Sequence, residues 1–477
     1  MKSQVIGREE ETRRINEYIE SNRSEFIAVY GRRRVGKTFL VRNIIAGKAS
    51  FAMSGMDNVT LREQLTNFDI ALHQHGFDTT GSTSWIDAFN KLEQYLDGLK
   101  QTVKIVFIDE MPWMDTPKSH FIQALEHFWN NWASARSDIK LIVCGSATNW
   151  MLSNIINNRG GLHNRVTHQI LLKPFTLREC KSYFGAYGFP YCEREIIECH
   201  MVMGGVPYYL SLMDKKLSVA QNIDHLMFAE GGELRNEAGN LFRSLFRKSA
   251  DYEDIIKCIS SKRKGLTRSE IIEATGLNNN MRLTRMLEEL EQCGFIRSYD
   301  DLGGKSRQAT FQLVDPFVHF AYSVMTKNRN KDEHFWSNTI MSPLYNSWSG
   351  LAFEMVCLNH IAEIKQALGI SGMQCGIYSW RSKPGEMPGA QVDMVIDRAD
   401  RTINLCEIKF AQGEYVVTSK YEGELLNKVS AMQSSVGKGK TIRLTMITSN
   451  GLHHNSHSSI VLAEVCMKNL LGQGSGT

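Results

Sequence analysis

Apolar residues cluster in short runs near the start of this chain. Phe26–Gly31 (FIAVYG), Val103–Ile108 (VKIVFI) and Leu141–Gly145 (LIVCG) are almost uninterrupted and rich in β-branched residues. Such runs fit strands buried on both faces of a sheet. Between them the spacing turns helical: within Ile6–Ser21 after its first few residues, and again from Lys37. Strands separated by helices predict βαβ units and a parallel sheet, so the fold class is α/β.

Further along the pattern changes. From Leu162 to about Ala250 it is mainly helical, broken by Gly-Phe-Pro at 188–190 and Gly-Gly-Val-Pro at 204–207. Residues 251–315 read helix, helix, helix, hairpin: Asp251–Ser260, Thr267–Thr275, Met281–Gln292, then Gly294–Tyr299 and Thr310–Val314 around the polar turn DDLGGKSRQ. Thr267 with Glu270 three residues on is a capping-box signature. That order predicts a winged helix-turn-helix. Residues 320–346 read as a helical connector, followed by a helix over Gly350–Leu368 and short strands near 376–380, 391–396, 403–408 and 442–448. The expected division is 1–160, 161–250, 251–320 and 347–477, with a disordered GQGSGT tail.

Composition narrows the class. A chain of 477 residues has room for about three domains. With 42% hydrophobic and 22% charged residues it is neither disordered nor fibrous. The net charge of +4 permits nucleic-acid binding without arguing for it. Ten scattered cysteines with no C-x-x-C pair point to a reducing compartment. MKSQVIGREEETRR lacks the apolar core of a signal peptide, and no run is long enough to cross a membrane. The expectation is a cytoplasmic protein with no membrane partner.

Gly31-Arg32-Arg33-Arg34-Val35-Gly36-Lys37-Thr38, with Phe39 following, fits G-x-x-x-x-G-K-[ST] after a strand and opening a helix. Glycines let consecutive N–H groups face phosphate oxygens at the positive end of the helix. Lys37 would reach the β- and γ-phosphates and Thr38 would ligate Mg²⁺. The alternative is a glycine-rich turn at a helix N-cap. Val103–Ile108 ends in Asp109-Glu110, where α/β sheets bind ligands. Asp109 would hold the Mg²⁺ shell and Glu110 would polarise the attacking water. The bland reading is an acidic pair capping a neighbouring helix.

GRRRVGKT, FIDE and LIVCGSA together resemble the AAA+-type ATPases often called the archaeal ATPase family, with features shared with STAND ATPases. The resemblance covers roughly residues 1–320 and implies a P-loop NTPase sheet with a helical lid, using ATP and Mg²⁺. By that resemblance Ile6-Gly7-Arg8-Glu9 lines the adenine site. Ser146 is the polar sensor near the γ-phosphate, with Asn149 as the alternative. Arg165 is an arginine finger acting on a neighbouring copy, with Arg159 as its rival and a surface charge as the bland reading. A finger acting in trans would require a homo-oligomer. Gly205-Val206-Pro207 matches the lid motif in which proline packs on the base; otherwise it is a helix-breaking turn.

In the predicted winged helix, Arg282, Arg285, Lys305, Arg307 and Lys262-Arg263-Lys264 are candidate phosphate contacts. Residues 251–315 nevertheless hold ten Lys+Arg against eleven Asp+Glu. A relay module that packs on the ATPase is therefore placed somewhat ahead of DNA contact.

Asn404-Leu-Cys-Glu407-Ile-Lys409 carries E-x-K on a strand, so Glu407 and Lys409 share a face. Asp393 lies near the start of the preceding strand, and Glu354 sits in the helix before it. Carboxylates so ordered are hard ligands for Mg²⁺, and a neighbouring lysine can stabilise charge in phosphodiester hydrolysis. This resembles the PD-(D/E)XK nuclease core over about 347–450, with Val392 in place of the usual proline. The alternative is a set of half-exposed polar positions in a domain that binds nucleic acid or a protein partner. Lys420, Lys428, Lys438, Lys440 and Arg443 are read either as a backbone-tracking stretch or as a solvated face. His453, His454 and His457 read as a polar loop, and Trp113, Trp129 and Trp132 as core or interface.

Overall fold

Glu25–Tyr30 (β1), Ala49–Ser54 (β2), Lys104–Asp109 (β3), Ile139–Gly145 (β4) and His168–Leu171 (β5) form one sheet in the order β2-β3-β4-β1-β5. Every neighbouring pair is parallel. The three apolar runs are the central strands, and every residue of β3 and β4 is buried. The edge strands β2 and β5 were not predicted. Partly or fully exposed positions interrupt their buried ones, so they lack the continuous apolar signal.

Helices cover both faces. The helices Glu9–Glu20 and Lys37–Ile44 pack Ile15, Ile19, Leu40 and Val41 against Ile27, Val29, Phe107 and Ile142. Opposite, the helices Leu61–Gln74 and Trp85–Gly98 bring Phe68, Trp85 and Phe89 onto Phe26, Val106 and Leu141. Trp129 joins this core, its ring 5.0 Å from that of Phe26. The carboxyl ends of β1, β3 and β4 thus meet at one edge, where an α/β sheet places its ligand.

The computed structural model describes residues 5–246, 248–262, 265–300, 302, 309–382, 389–436 and 439–472. Arg263, Lys264, Lys305, Arg307, Lys438, most of the polar turn and the tail beyond Gly472 lie outside them. The chain forms two compact units, Met1–Pro174 and Phe175–Thr477. The helical stretch expected at 161–250 falls across that boundary. No helix among the described residues is long and apolar enough to cross a membrane.

In the second unit the helices Ser249–Ser260, Arg268–Thr275 and Met281–Gln292 accompany a small sheet. It consists of β6 (Leu266–Thr267), β7 (Ile296–Tyr299) and β8 (Thr310–Leu313), in the order β6-β8-β7. Thr267 caps its helix, and Glu270 reciprocates by accepting from the Thr267 N–H. The second five-stranded sheet comprises β9 (Cys375–Arg381), β10 (Gln391–Arg398), β11 (Thr402–Lys409), then, after β12 (Tyr415–Val416), β13 (Thr441–Thr448). Beyond β14 (Leu452–His453) comes its edge strand β15 (Ala463–Cys466), and the order is β15-β13-β11-β10-β9. β9, β10 and β11 pair antiparallel, while β13 and β15 continue in parallel.

The helix expected over Gly350–Leu368 is instead two helices, Pro343–Asn359 and Ile361–Ala367. Ser342 caps the first, with Pro343 in its first turn. His360 leaves helical geometry (φ −118°, ψ 36°). Its ring is buried, accepting the Leu177 N–H at 2.9 Å on Nε2, with Nδ1 2.7 Å from the Val356 carbonyl.

Asp138 ties the start of β3 to that of β4. It accepts from Arg136 Nε at 2.8 Å and from the buried Lys104 Nζ at 2.7 Å. Hydrogen bonds from Arg136, aided by Lys104, hold its pKa below the usual carboxylate range. The folded pKa is depressed, so this stability is present above about pH 4, the unfolded value, and fades as pH falls further. Asp138→Asn leaves Lys104 buried without its partner. It should cost about 2–3 kcal/mol at neutral pH, with the difference from wild type shrinking in acid, as read by urea melts across pH.

Candidate functional site

The loop between β1 and the helix Lys37–Ile44 is held by contacts that only its residue types allow. Gly31 has φ 142°, and a Cβ there would lie 2.3 Å from the Leu172 carbonyl oxygen. Gly36, at the helix N-cap, is left-handed with φ 88°. Arg34 also takes positive φ, at 72°, an uncommon conformation for a side-chain-bearing residue. Arg8 is buried, and its guanidinium donates to the Lys173 carbonyl at 2.6 Å and the Val35 carbonyl at 3.4 Å. It braces the loop from behind. This bracing role had no local signal in the sequence.

Inside the loop the Lys37 ammonium is buried and donates to the carbonyls of Gly31 and Arg32, each at 2.9 Å. Burial lowers its pKa, because desolvation disfavours the cation; Glu110 and Asp109 nearby oppose the shift. No carboxylate is bonded to it among the described residues. A buried ammonium bonded to neutral carbonyls gains strongly from an arriving anion.

Asp109 and Glu110 stand at the end of β3. Asp109 is buried, and its Oδ1 accepts from Thr38 Oγ1 and from the Glu110 N–H, both at 3.1 Å. Burial raises its pKa, with Glu110 adding repulsion. Glu110 is left-handed (φ 44°, ψ 44°), a strained conformation that turns its carboxylate towards the end of β4. There Ser146 donates to Glu110 Oε2 from its hydroxyl at 2.7 Å and from its N–H at 3.2 Å. Lys37, Thr38, Asp109, Glu110 and Ser146, widely separated in sequence, therefore form one connected corner. The Thr38 hydroxyl and Asp109 carboxylate are hard oxygen donors bonded to each other, a pair suited to Mg²⁺.

The other expected residues spread out. Arg33 and Phe39 are exposed, whereas Arg32 and Val35 are buried. Gly7 is left-handed and buried. Arg159 and Arg165 are both exposed. Asn149 is half-buried, accepting from Ser153 at 3.4 Å rather than joining Glu110. In the second unit Gly205 (φ 65°) sits against the Phe175 carbonyl, and Pro207 starts the short helix Pro207–Ser211.

The C-terminal residues also form a network. Pairing of Met394 with Cys406 sets Asp393 opposite Glu407. The register of β10 shifts between Val392 and Val395 where it meets β9, an irregularity that re-aims Asp393. Asp393 Oδ2 accepts the Ile408 N–H at 3.0 Å. Glu407 is fully buried and bonded to Lys428 Nζ at 2.7 Å and Tyr421 Oη at 3.0 Å, with Lys409 Nζ at 3.7 Å. Burial raises its pKa and Asp393 adds to the rise; both lysines oppose it. Glu354 and Asp393 line a cleft of about 40 Å³ with Arg381, Gln391, Thr267 and Tyr299.

Among the described residues, no three His, Cys, Asp or Glu side chains gather as a metal-binding group. In this arrangement Lys428 compensates the Glu407 carboxylate. Lys428 and Lys440 are taken from the expected basic stretch, the latter by Asp397 at 2.6 Å. His453 faces Glu414 and His457 faces Glu422, at 3.4 and 2.7 Å.

Comparison places the first site in a class. Residues 6–213 match the family model described as an ATPase domain predominantly from Archaea, and the chain is an ATPase. Over 409 residues the chain is 23% identical to an uncharacterised protein of Methanocaldococcus jannaschii, covering 85% of this chain and 87% of that protein. Among solved structures it is similar to the Walker-type ATPase PABY2304 of Pyrococcus abyssi, with 21% identity and a TM-score of 0.48 over 67% of this chain and 96% of that one. It is also similar to the ORC2 protein of Aeropyrum pernix in ADPNP and ADP complexes, with 14% identity and a TM-score of 0.33 over 68% and 96%.

Gly31→Ala tests the loop geometry. The added methyl collides with the Leu172 carbonyl in a backbone region alien to alanine. It should destabilise the fold by about 1–3 kcal/mol and weaken nucleotide binding, as read by thermal melts with and without ATP.

Proposed function

We propose that the chain is a Mg²⁺-dependent ATPase acting as a nucleotide-driven switch on DNA. Residues 1–160 would be the P-loop core and 161–250 its lid. A winged helix at 251–320 and a nuclease-like domain at 347–477 would carry the response. The connected corner of Lys37, Thr38, Asp109, Glu110 and Ser146 is the observation that carries the reading. Lys37, with the N–H groups from Gly31 to Thr38, binds the phosphates. Thr38 and Asp109 would hold Mg²⁺, which neutralises phosphate charge when bound. Glu110 orients water against the γ-phosphate and takes up its proton. Ser146 is a positioning residue that fixes the Glu110 carboxylate. Gly7 and Arg8 would line the base, and Arg165, or its rival Arg159, would reach the nucleotide of a second copy.

Lys37→Ala should abolish ATP binding by calorimetry. Glu110→Gln should keep ATP bound while turnover falls by about 10²-fold or more. Wild-type ATP affinity and turnover in Lys37→Ala would overturn the assignment.

A second reading, metal-dependent phosphodiester cleavage at the C-terminus, is favoured by the pairing of Asp393 with Glu407 and by Lys409 on the same face. It requires Glu407 to release Lys428 and the narrow cleft at Glu354 to open. Mg²⁺- or Mn²⁺-dependent DNA degradation that is lost in both Glu407→Ala and Lys409→Ala would establish it. Intact DNA with wild type on several substrates would leave the non-catalytic switch.

A further inference from the structure

The sequence directed attention to the helix Met281–Gln292 as the DNA-facing element. Its cations are already engaged. Arg282 pairs with Asp251, and Arg285 Nε bonds Glu289 Oε1 at 2.9 Å. Arg268 bonds Asn279 at 2.9 Å, and Arg297 is directed to Gln312 at 2.8 Å. Arg282 and Arg285 would each have to leave a carboxylate before meeting a phosphate.

A different face carries the positive charge. The helices Glu237–Leu245, Ser249–Ser260 and Pro316–Ser323, with the turn Met325–Lys327, enclose a cleft of about 530 Å³. Arg235, Arg243, Lys257 and Lys331 line it against one carboxylate, Glu253. Lys257 leans on that acid at 3.6 Å and on Asp254 at 3.9 Å, so its charge is partly spent. The other three are not: Arg235 donates to the Ala229 carbonyl at 3.1 Å, and Arg243 to Asn240 at 2.5 Å. Lys331 makes no hydrogen bond or ion pair among the described residues. Exposed Lys327 and Arg329 flank the opening. Phe228 and Tyr322 lie in the lining, with the Lys257 ammonium 5.7 Å from the Tyr322 ring centroid. Surplus cations around an aromatic floor are the arrangement that holds a nucleic-acid strand by phosphate attraction and base stacking.

We propose that this cleft, rather than the helix Met281–Gln292, is the nucleic-acid binding surface of the second unit. The proposal rests on the DNA reading above and assigns it a place. The ligand is a phosphodiester backbone, held by Arg235, Arg243 and Lys331, with a base against the aromatic floor.

The test uses the full chain and labelled single- and double-stranded oligonucleotides, read by anisotropy across a salt series. The triple variant Arg235→Ala/Arg243→Ala/Lys331→Ala should bind at least about tenfold more weakly. Its slope of log K against log salt should fall by about 2–3. ATP turnover should stay at the wild-type rate, and Arg235→Lys/Arg243→Lys should restore binding, separating lost charge from misfolding. Arg282→Ala/Arg285→Ala and Lys305→Ala/Arg307→Ala should bind as wild type. If instead either of these pairs loses binding while the triple variant keeps it, the cleft is overturned and the DNA reading survives. If wild type binds no oligonucleotide at low salt, the DNA reading fails and the cleft fails with it. Binding of polyglutamate alone, lost in the triple variant, would overturn the proposal in favour of an acidic protein partner.

Discussion

An ammonium group buried in a loop of backbone dipoles is the constraint around which the first unit is organised. Lys37 is nearly inaccessible, and its bonded partners are neutral carbonyls. Taking a cation out of water is unfavourable unless charge or hydrogen bonds compensate. The loop tolerates it because Gly31 sits where a side chain would strike the Leu172 carbonyl, because Gly36 takes the left-handed turn without strain, and because Arg8 clamps the loop to the segment after β5. The two carboxylates stand near, yet each is occupied: Asp109 by Thr38 and the Glu110 N–H, Glu110 by Ser146. The arrangement keeps opposite charges apart until an anion arrives, as a phosphate-binding machine requires.

The second unit handles its charges in the opposite way. Glu407 is buried beside two lysines and a tyrosine, so its charge is compensated within the protein. Removing one partner from such a cluster is costly, which makes it a stable element of the C-terminal sheet. The carboxylate that resembles part of a nuclease centre is thus neutralised by its own neighbours in this arrangement. The arginines of the helix Met281–Gln292 are likewise paired with carboxylates of the same unit, Asp251 and Glu289.

How much of this was legible in the sequence depended on the range of the interactions. β1, β3 and β4 were readable because burial on both faces demands an unbroken apolar run. β2 (ASFAMS), β5 (HQIL) and β15 (AEVC) were not, because edge strands leave some positions only partly covered and the apolar run is broken. The phosphate loop and the capping box at Thr267 are local, with their residues three to a few positions apart. The clamp from Arg8 to Lys173 and the pairing of Lys428 with Glu407 are not. Lys428 was read as part of a basic stretch because helix periodicity cannot reveal which strand residue a lysine will face. The break at His360 was hidden for the same reason: the buried ring there takes its hydrogen bond from the Leu177 N–H, far away in the chain.

The bond between Ser146 and Glu110 links the ends of β3 and β4, and it bears on how hydrolysis could be timed. A glutamate that must orient water cannot also keep both carboxylate oxygens committed elsewhere. Here a single oxygen, Oε2, takes both donations from Ser146. The bonds fix the carboxylate's direction without consuming its whole acceptor capacity. The left-handed backbone at Glu110 points the same way. Strain of this kind persists only where surrounding contacts over-determine it, and Ser146 supplies one such contact. In the proposed reaction the same hydroxyl would stand between holding the base and sensing what lies at the phosphate end. A single rotation of the Ser146 side chain would then alter both, so that base and sensor act as one device at the strand ends.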